Sequence, residues 1–417
     1  MNTDTLPNVN KVEWTVDPVY RIISTALPKV LLVGTVDVDL RLDLMRKLDG
    51  SFNIAAVGSN PDLEDRFLGA GFNYYNYNLH RQVNPLMDLY SISQLVALFR
   101  RLKPDIVHTF SAKPCALARQ AARLAGVPVV IGTLTGLSSL YASEDFSIRL
   151  IRSVYEPLQK FACSISDLTI FQNSDDWRRY TRIGIVSEEK SMVIPGSGVP
   201  TSQFDPDKIS PEEKKELRVE LGIKPDDFVV TLVSRVIRTK GVIEFAEAAK
   251  LMKNSYPNVR FLLVGPNDTD TIYSLSSKEL SELEENVIWP GPRRDIPTIL
   301  AISDIFAYPS SHMEGIPRVL LEAASMGLPI ITTDSPGCND VVHEGVNGFF
   351  VPAQDSQLLR ASITKLIEQP DLRHAFGKAA RRIAIEHFDL SIIAEQTCDV
   401  YTRYLADKDQ KKMVPAV

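Results

Sequence analysis

Short aliphatic and β-branched runs alternate with helical patterns through both halves of this chain. That alternation admits few arrangements other than parallel sheets joined by crossover helices. The first half carries KVLLVG (29–34), FNIAAVG (52–58), DIVHTF (105–110), VPVVIGT (127–133) and DLTIFQ (167–172). The second carries FVVTLVSR (228–235), NVRFLLVG (258–265), DIFAYPS (304–310) and LPIITTD (328–334). Most are apolar throughout, as strands covered on both faces must be. Over 240–254, Ile243, Ala246, Ala249 and Leu251 mark the apolar side of one crossover helix. The stretch PGSGVPTSQFDPDKISPE (195–212) is rich in Pro, Ser and Gly and divides the halves. Two doubly wound α/β domains joined in this way face each other across a cleft at the carboxyl ends of their strands, where such sheets bind ligands.

Size and charge narrow the function. The 417 residues, 44% of them hydrophobic, are enough for two domains with large cores. Cys115, Cys163, Cys338 and Cys398 are scattered without a Cys-x-x-Cys pair, so we expect neither a metal site nor disulfides, and a reducing cytoplasm fits. No run approaches the ~20 apolar residues of a membrane helix, and the opening MNTDTLPNVN is not a secretion signal. A net charge of −6 argues against a nucleic-acid partner. Residues 29–195 are slightly basic and 196–417 clearly acidic, which makes the first half the one to meet an anionic partner.

The segment YPSSHMEGIPRVLLEAASMGLPIITTD (308–334) carries the strongest chemistry. A strand ends at Pro309, a loop holds His312 and Glu314, and a helix opens near Pro317 and stops at Gly327. The first amides of that helix, around Arg318 and Val319, have no acceptor within it and suit a phosphate. Glu314 and Glu322 flank this anion site, where carboxylates can accept from sugar hydroxyls. Ser234-Arg235-Val236-Ile237-Arg238-Thr239-Lys240-Gly241 follows the first strand of the second half. Arg235 and Lys240 there can neutralise a diphosphate and stabilise it as a leaving group. Taken singly, each is open to a plainer reading, as a solvated loop charge or a helix-surface glutamate.

Together these two segments resemble the retaining glycosyltransferases of family four, which have the GT-B fold: two Rossmann-like domains with parallel sheets facing a cleft. The stretches VGTVDVDLR, VHTFSAKPCALARQAARLAGVP, TLTGLSSLY, IFQNSDD and IPGSGV are similar to the PglA-like bacterial branch that extends undecaprenyl-diphosphate-linked sugars. The resemblance implies an N-terminal leader at 1–28 and an acceptor domain at 29–196. It implies a nucleotide-sugar domain at 197–388, a C-terminal helix at 389–406 returning toward the first domain, and a tail at 407–417. It gives Arg235 and Lys240 to the donor diphosphate, Glu314 and Gly315 to the donor sugar, Arg318 and Val319 to the phosphate, and Glu322 to the ribose. The loop PGPRRDI (290–296) would frame the base, with Arg293 near it. His108, at the end of its strand, would stand beside the donor sugar, making His108, Glu314, Arg235 and Lys240 the catalytic group. Thr35, Asp37 and Lys113, with Arg119 as a further cation, would meet the acceptor. Retention would follow from same-face attack, with the leaving phosphate taking the acceptor proton and no side-chain nucleophile.

The chain departs from the family pattern at Thr35-Val36-Asp37 after Gly34, where a second glycine is common. Pro200 stands where an Asp is usual, and His312-Met313 replaces Tyr-Arg. No Asp-x-Asp pair ends a strand, so no metal and no cofactor is expected beyond the UDP-sugar substrate. Arg149, Arg152, Lys160, Arg178, Arg179 and Arg182 lie on two helices of the first half. The first of these also carries Ile148, Leu150, Ile151, Val154, Tyr155, Leu158 and Phe161. This stretch either packs on the sheet or lies on an anionic inner leaflet and receives a lipid-linked acceptor; the resemblance favours the membrane. The expected protein is cytoplasmic and peripheral on the inner membrane face. A nucleotide-sugar 2-epimerase of the same architecture and a non-catalytic two-lobed sugar-binding protein are the alternatives.

Overall fold

The computed structural model describes residues 27–80, 84–136, 141, 146–312 and 314–413. Almost all of the leader, Met313, the final four residues and part of TLTGLSSLY lie outside them.

Seven parallel strands make the first sheet: β1 (Lys29–Val33), β2 (Asn53–Gly58), β3 (Asn73–Asn76), β4 (Ile106–Phe110), β5 (Val129–Leu134), β6 (Leu168–Phe171) and β7 (Ser191–Val193), in the order β3-β2-β1-β4-β5-β6-β7. Both faces of β1 are covered: Val30 and Leu32 enter one core cluster while Leu31 and Val33 enter another. Each such side chain stabilises the fold by about 2 kcal/mol. Helices Pro85–Leu102, Ala112–Leu124 and Phe146–Ile165 pack side by side on one face.

The second sheet has β8 (Phe228–Val233), β9 (Val259–Val264), β10 (Ile305–Tyr308), β11 (Ile330–Thr332) and β12 (Gly348–Phe350), all parallel, in the order β12-β11-β10-β8-β9. A capping box of Ser210 with Glu213, and Pro211 in the first turn, start the helix Pro211–Glu220 that follows the linker. The last helix, Leu390–Met413, crosses back: Leu390, Ile393, Ala394, Val400 and Tyr401 sit in the first lobe's core beside Val30 and Ile106.

Several sequence expectations need correction. Strands β3, β7 and β12 were not anticipated, because each is an edge strand of only three or four residues, too short to show a pattern. The final helix continues to Met413 rather than giving way to an irregular tail at 407. Residues Arg238–Lys240 form a 3₁₀ turn, and the crossover helix begins only at Val242. Gly241 divides the two at φ +74°, where a β-carbon would lie 2.3 Å from the Pro309 carbonyl oxygen. Leu251 is exposed, and Val242, Phe245, Ala246, Ala249 and Met252 form the inner face.

Candidate active site

Strand order reverses between β1 and β4 in the first sheet and between β8 and β10 in the second. Loops leaving neighbouring strands in opposite directions open a crevice at each of these points. The loop after β8 carries Arg235 and Lys240, and the loop after β10 carries His312 and Glu314, so the second crevice holds the residues singled out from sequence.

Lys240 and Glu314 form an ion pair there. The Lys240 Nζ also donates to the Tyr308 hydroxyl at 2.8 Å, and that hydroxyl donates to Glu314 Oε1 at 3.0 Å. Tyr308 ends β10 and is fully buried, which raises its phenol well above the usual range. Burial first, and Arg235 second, press the Lys240 ammonium down to about 7, and the Glu314 carboxylate is its ion-pair partner. Burial, then Lys240 and Arg235, push the His312 imidazole down to about 4, so it is neutral at physiological pH. Arg235 is half exposed and pairs with Asp268 at 2.6 Å.

Pro317 caps the helix Arg318–Ser325. The amides of Arg318 and Val319 belong to its first turn and lack intrahelical acceptors. Arg318 Nε donates to Glu322 Oε1 at 2.9 Å, one turn along, and Arg318 Nη2 donates to Asp43 Oδ2 of the first lobe at 3.0 Å. Burial raises the Glu322 carboxyl to about 7, with Arg318 opposing. Arg318, Val319 and Glu322 line one wall of a cleft of about 440 Å³; Leu40, Leu42 and Asp43 line the other.

The lobes touch directly at the glutamate loop. Gly315 N–H donates to the Thr135 carbonyl at 2.9 Å, and Asn173 Nδ2 donates to the carbonyls of Glu314 and Gly315 at 3.2 and 2.9 Å. A β-carbon on Gly315 would lie 2.3 Å from Gln172 Oε1 and 2.8 Å from the Thr135 oxygen, so only glycine permits this approach.

Four residues assigned from sequence are held by partners within the chain. His108 does not open on the cleft: it is 2% exposed, Nδ1 shares a hydrogen bond with the Tyr401 hydroxyl and Nε2 with Thr133 Oγ1, both at 2.7 Å. Its role here is to fasten the C-terminal helix to the first sheet. The Arg293 guanidinium pairs with Asp295 and Glu220. Lys113 is engaged by Asp88 at 2.6 Å and the His80 carbonyl at 2.6 Å rather than turned to an acceptor. Arg119 is fully buried in the first core, donating to Gln159, Thr169 and the Cys115 carbonyl. Thr35 and Asp37 do sit at the first crevice, hydrogen-bonded to each other.

Sequence reasoning missed Tyr308, Asp43, Asn173 and Arg41. Arg41 is buried under the first crevice, 4.7 Å over the Phe110 ring and donating to Ser197 Oγ at 2.6 Å. Burial lowers its pKa to about 10, Asp37 opposing. In VDVDLRLDL it reads as one more solvated charge; only Tyr308, a hydroxyl ending an apolar strand, left a usable signal. Ser111, just after β4, takes φ +70°, a strained conformation outside glycine that also marks this crevice.

Two parallel sheets facing one another across this cleft define a GT-B architecture. Residues 213–383 match the family described as glycosyl transferases group 1, and residues 29–173 the family described as glycosyl transferase 4-like. The chain is 30% identical over 381 residues to the Escherichia coli UDP-Gal:alpha-D-GlcNAc-diphosphoundecaprenol alpha-1,3-galactosyltransferase, covering 91% of this chain and 96% of that one. It is 28% identical over 370 residues to the Campylobacter jejuni N,N'-diacetylbacillosaminyl-diphospho-undecaprenol alpha-1,3-N-acetylgalactosaminyltransferase, covering 88% and 95%. Among solved structures, Anabaena HepE in complex with UDP-glucose superposes with a TM-score of 0.74 at 21% identity, over 90% of this chain and 99% of that one. The lipopolysaccharide glycosyltransferase WaaG superposes with a TM-score of 0.65 at 16% identity, over 89% and 99%. The chain belongs to this glycosyltransferase family and is a glycosyltransferase.

Proposed function

We propose that the chain moves a hexose or N-acetylhexosamine from a UDP-sugar to a hydroxyl of a saccharide carried on a lipid diphosphate, with retention and without a metal. The observation that carries this reading is the Lys240–Tyr308–Glu314 cluster at the second crevice, with Arg235 beside it and Glu322 behind. Lys240, Arg235 and the amides of Arg318 and Val319 would hold the diphosphate. Glu314 and Gly315 would meet the sugar and Glu322 the ribose. Residues 197–388 would then serve the donor and 29–196, through Thr35 and Asp37, the acceptor. The C1–oxygen bond to UDP breaks as the acceptor oxygen bonds C1 on the same face. The electron pair stays on the β-phosphate, which takes the acceptor's proton.

The names of the Escherichia coli and Campylobacter relatives support a lipid-diphosphate acceptor, and the UDP-glucose in HepE supports the donor class. Among the described residues no helix is long and apolar enough to cross a membrane. Contact with an anionic inner leaflet would fall to helix Phe146–Ile165, where Leu150, Ile151, Val154 and Phe161 are exposed with Arg149 and Lys160; the Ile148 side chain is not among those described. Leu86, Met87, Leu89 and Tyr90 are exposed at the start of helix Pro85–Leu102, in the same helical layer.

The test is a screen of nucleotide sugars against lipid-diphosphate-linked saccharides, with and without excess EDTA. We expect one UDP-sugar to be used, product to appear only with acceptor, and EDTA to leave the rate unchanged. Free sugar from donor alone at the transfer rate would favour an epimerase. Loss in EDTA with rescue by magnesium or manganese would end the metal-free mechanism.

A further inference from the structure

The peptide that follows Glu314 belongs to the second lobe in sequence, yet its hydrogen bonds go to the first. The Glu314 carbonyl, the Gly315 amide and the Gly315 carbonyl are bonded, among the described residues, by Asn173 and Thr135. Thr135 follows β5 and Asn173 follows β6, so both partners stand at the carboxyl ends of first-lobe strands. Gly136 of the first lobe and Gly337 of the second press on the same peptide. The Glu314 side chain reaches instead into the second crevice, to Lys240 and Tyr308. Glu314 thus has its backbone clamped by one lobe and its carboxylate placed in the other. On the donor side the loop is tied at Ser311 and His312 by the Thr239 carbonyl, and again at Ile316, which enters the second core. Between those ties, the first lobe supplies the partners that main-chain amides and carbonyls require.

Asn173 is itself firmly fixed. It is fully buried, and its Oδ1 accepts from the Asp176 amide at 2.7 Å, capping helix Ser174–Arg182. Its Nδ2 donates to Asp176 Oδ2 at 3.0 Å and to the carbonyls of Glu314 and Gly315 at 3.2 and 2.9 Å. Asp or Ser would cap the helix as well as Asn does. Neither carries the amide hydrogens that reach the two carbonyls. The choice of asparagine at this cap therefore answers to the glutamate loop rather than to the helix.

We propose that Asn173 is a positioning residue for the transfer reaction: from the first lobe it sets the direction of the glutamate loop, and through it the Glu314 carboxylate. An oriented carboxylate and closed lobes then go together, so the donor sugar is held for attack only when the acceptor's lobe is in place. Lys240, Arg235 and Glu322, which would hold UDP, lie outside the Asn173 contacts. The proposal rests on the reading of Glu314 as the group that meets the donor sugar.

The experiment compares wild type with Asn173→Ser, Asn173→Asp, Glu314→Gln, the Asn173→Ser/Glu314→Gln double variant and Asn339→Ala. The donor is the UDP-hexose or UDP-N-acetylhexosamine that wild type turns over fastest. Rates are counted per molecule that binds UDP, so a partly unfolded variant is still read. Both Asn173 variants should lose roughly tenfold to a hundredfold in kcat, as for a reacting geometry displaced by about 1 Å. Their affinity for free UDP should stay within about twofold of wild type, because UDP is held by the second lobe. Added to Glu314→Gln, Asn173→Ser should cost less than about threefold more, since the group it positions is already lost. Asn339→Ala removes a different bond across the same seam, from Asn339 Nδ2 to Asp175 at 3.3 Å, and should leave kcat unchanged. A kcat within about threefold of wild type in both Asn173 variants overturns the proposal. So does a parallel loss of UDP affinity, an equal loss in Asn339→Ala, or a fully additive loss in the double variant. Glu314→Gln with wild-type turnover fails the reading of Glu314 and this proposal with it. A slow Glu314→Gln beside an unimpaired Asn173→Ser overturns the positioning alone.

Discussion

The Lys240 ammonium and the Glu314 carboxylate face each other across the crevice between β8 and β10, and the Tyr308 hydroxyl is bound to both. They come from two segments: Tyr308 and Glu314 from the end of β10 and the loop after it, Lys240 from the loop after β8. A diphosphate would compete with Glu314 for the ammonium, and a sugar hydroxyl would compete with Lys240 for the carboxylate. One donor molecule offers both groups at adjacent positions, so it can replace the pair without leaving either charge buried and unmatched.

Replacing Lys240 by Ala is expected to lower donor affinity and turnover together by about tenfold to a hundredfold, the worth of one or two charge-assisted hydrogen bonds. Arg235→Ala should act in the same direction but less, because Arg235 is more exposed and already shared with Asp268. Steady-state kinetics with varied donor check this; unchanged constants in both variants would put the diphosphate elsewhere.

Glu314→Gln should chiefly reduce turnover, since it loosens the group that orients the sugar ring and strips Lys240 of its counter-charge. Glu322→Gln should chiefly raise the apparent KM for the donor, because the ribose is remote from the bond that breaks. Inhibition by free UDP separates the roles: its affinity should fall in the Glu322 variant and hold in the Glu314 variant. The reverse pattern would exchange the assignments.

His108 is expected to matter for stability and not for the reaction. Its folded pKa is depressed to about 3, by burial first and then by Arg41 and Arg119, against an ordinary value of 6.5. The unfolded chain therefore takes up this proton first. The contribution is complete above pH 6.5 and is lost progressively as pH falls from 6.5 toward 3, at up to about 1.4 kcal/mol per unit. Thermal melts of wild type and His108→Leu from pH 8 to pH 5 should show a gap that narrows with acid, while turnover per folded molecule at pH 7.5 stays within about threefold of wild type. A hundredfold loss of turnover in a well-folded variant would restore His108 to the active site.

Helix Phe146–Ile165 is expected to bind vesicles containing anionic lipid at low salt and to release them at high salt, at about 1 kcal/mol per basic residue near the leaflet. Co-sedimentation of wild type against an Arg149→Glu/Arg152→Glu/Lys160→Glu variant measures this. Equal binding by both proteins, or none by either, removes the helix from the membrane contact.

Legibility from the sequence followed burial. Strands covered on both faces, such as β1 and β5, must be apolar at every position, so KVLLVG and VPVVIGT announced themselves. Edge strands β3, β7 and β12 carry no such demand and went unread. The glutamate loop and the Arg235–Lys240 turn were visible because each lies on one short segment with a helix terminus or strand end as a landmark. What only the tertiary structure decided was which charges are spent. Lys113, Arg119 and Arg293 look alike in the sequence to Lys240; folding hands them to Asp88, Gln159 and Glu220, and hands Lys240 to Glu314 and Tyr308 at the second crevice. His108 sits at a strand end in either view; Tyr401, nearly three hundred positions later, makes it a core hydrogen-bond partner. Local pattern determines which segments become strands, helices and loops, because that choice depends on neighbours a few residues away. Whether a charged side chain keeps its hydrogen bonds for a ligand depends on partners brought near only by folding, and those no local pattern records.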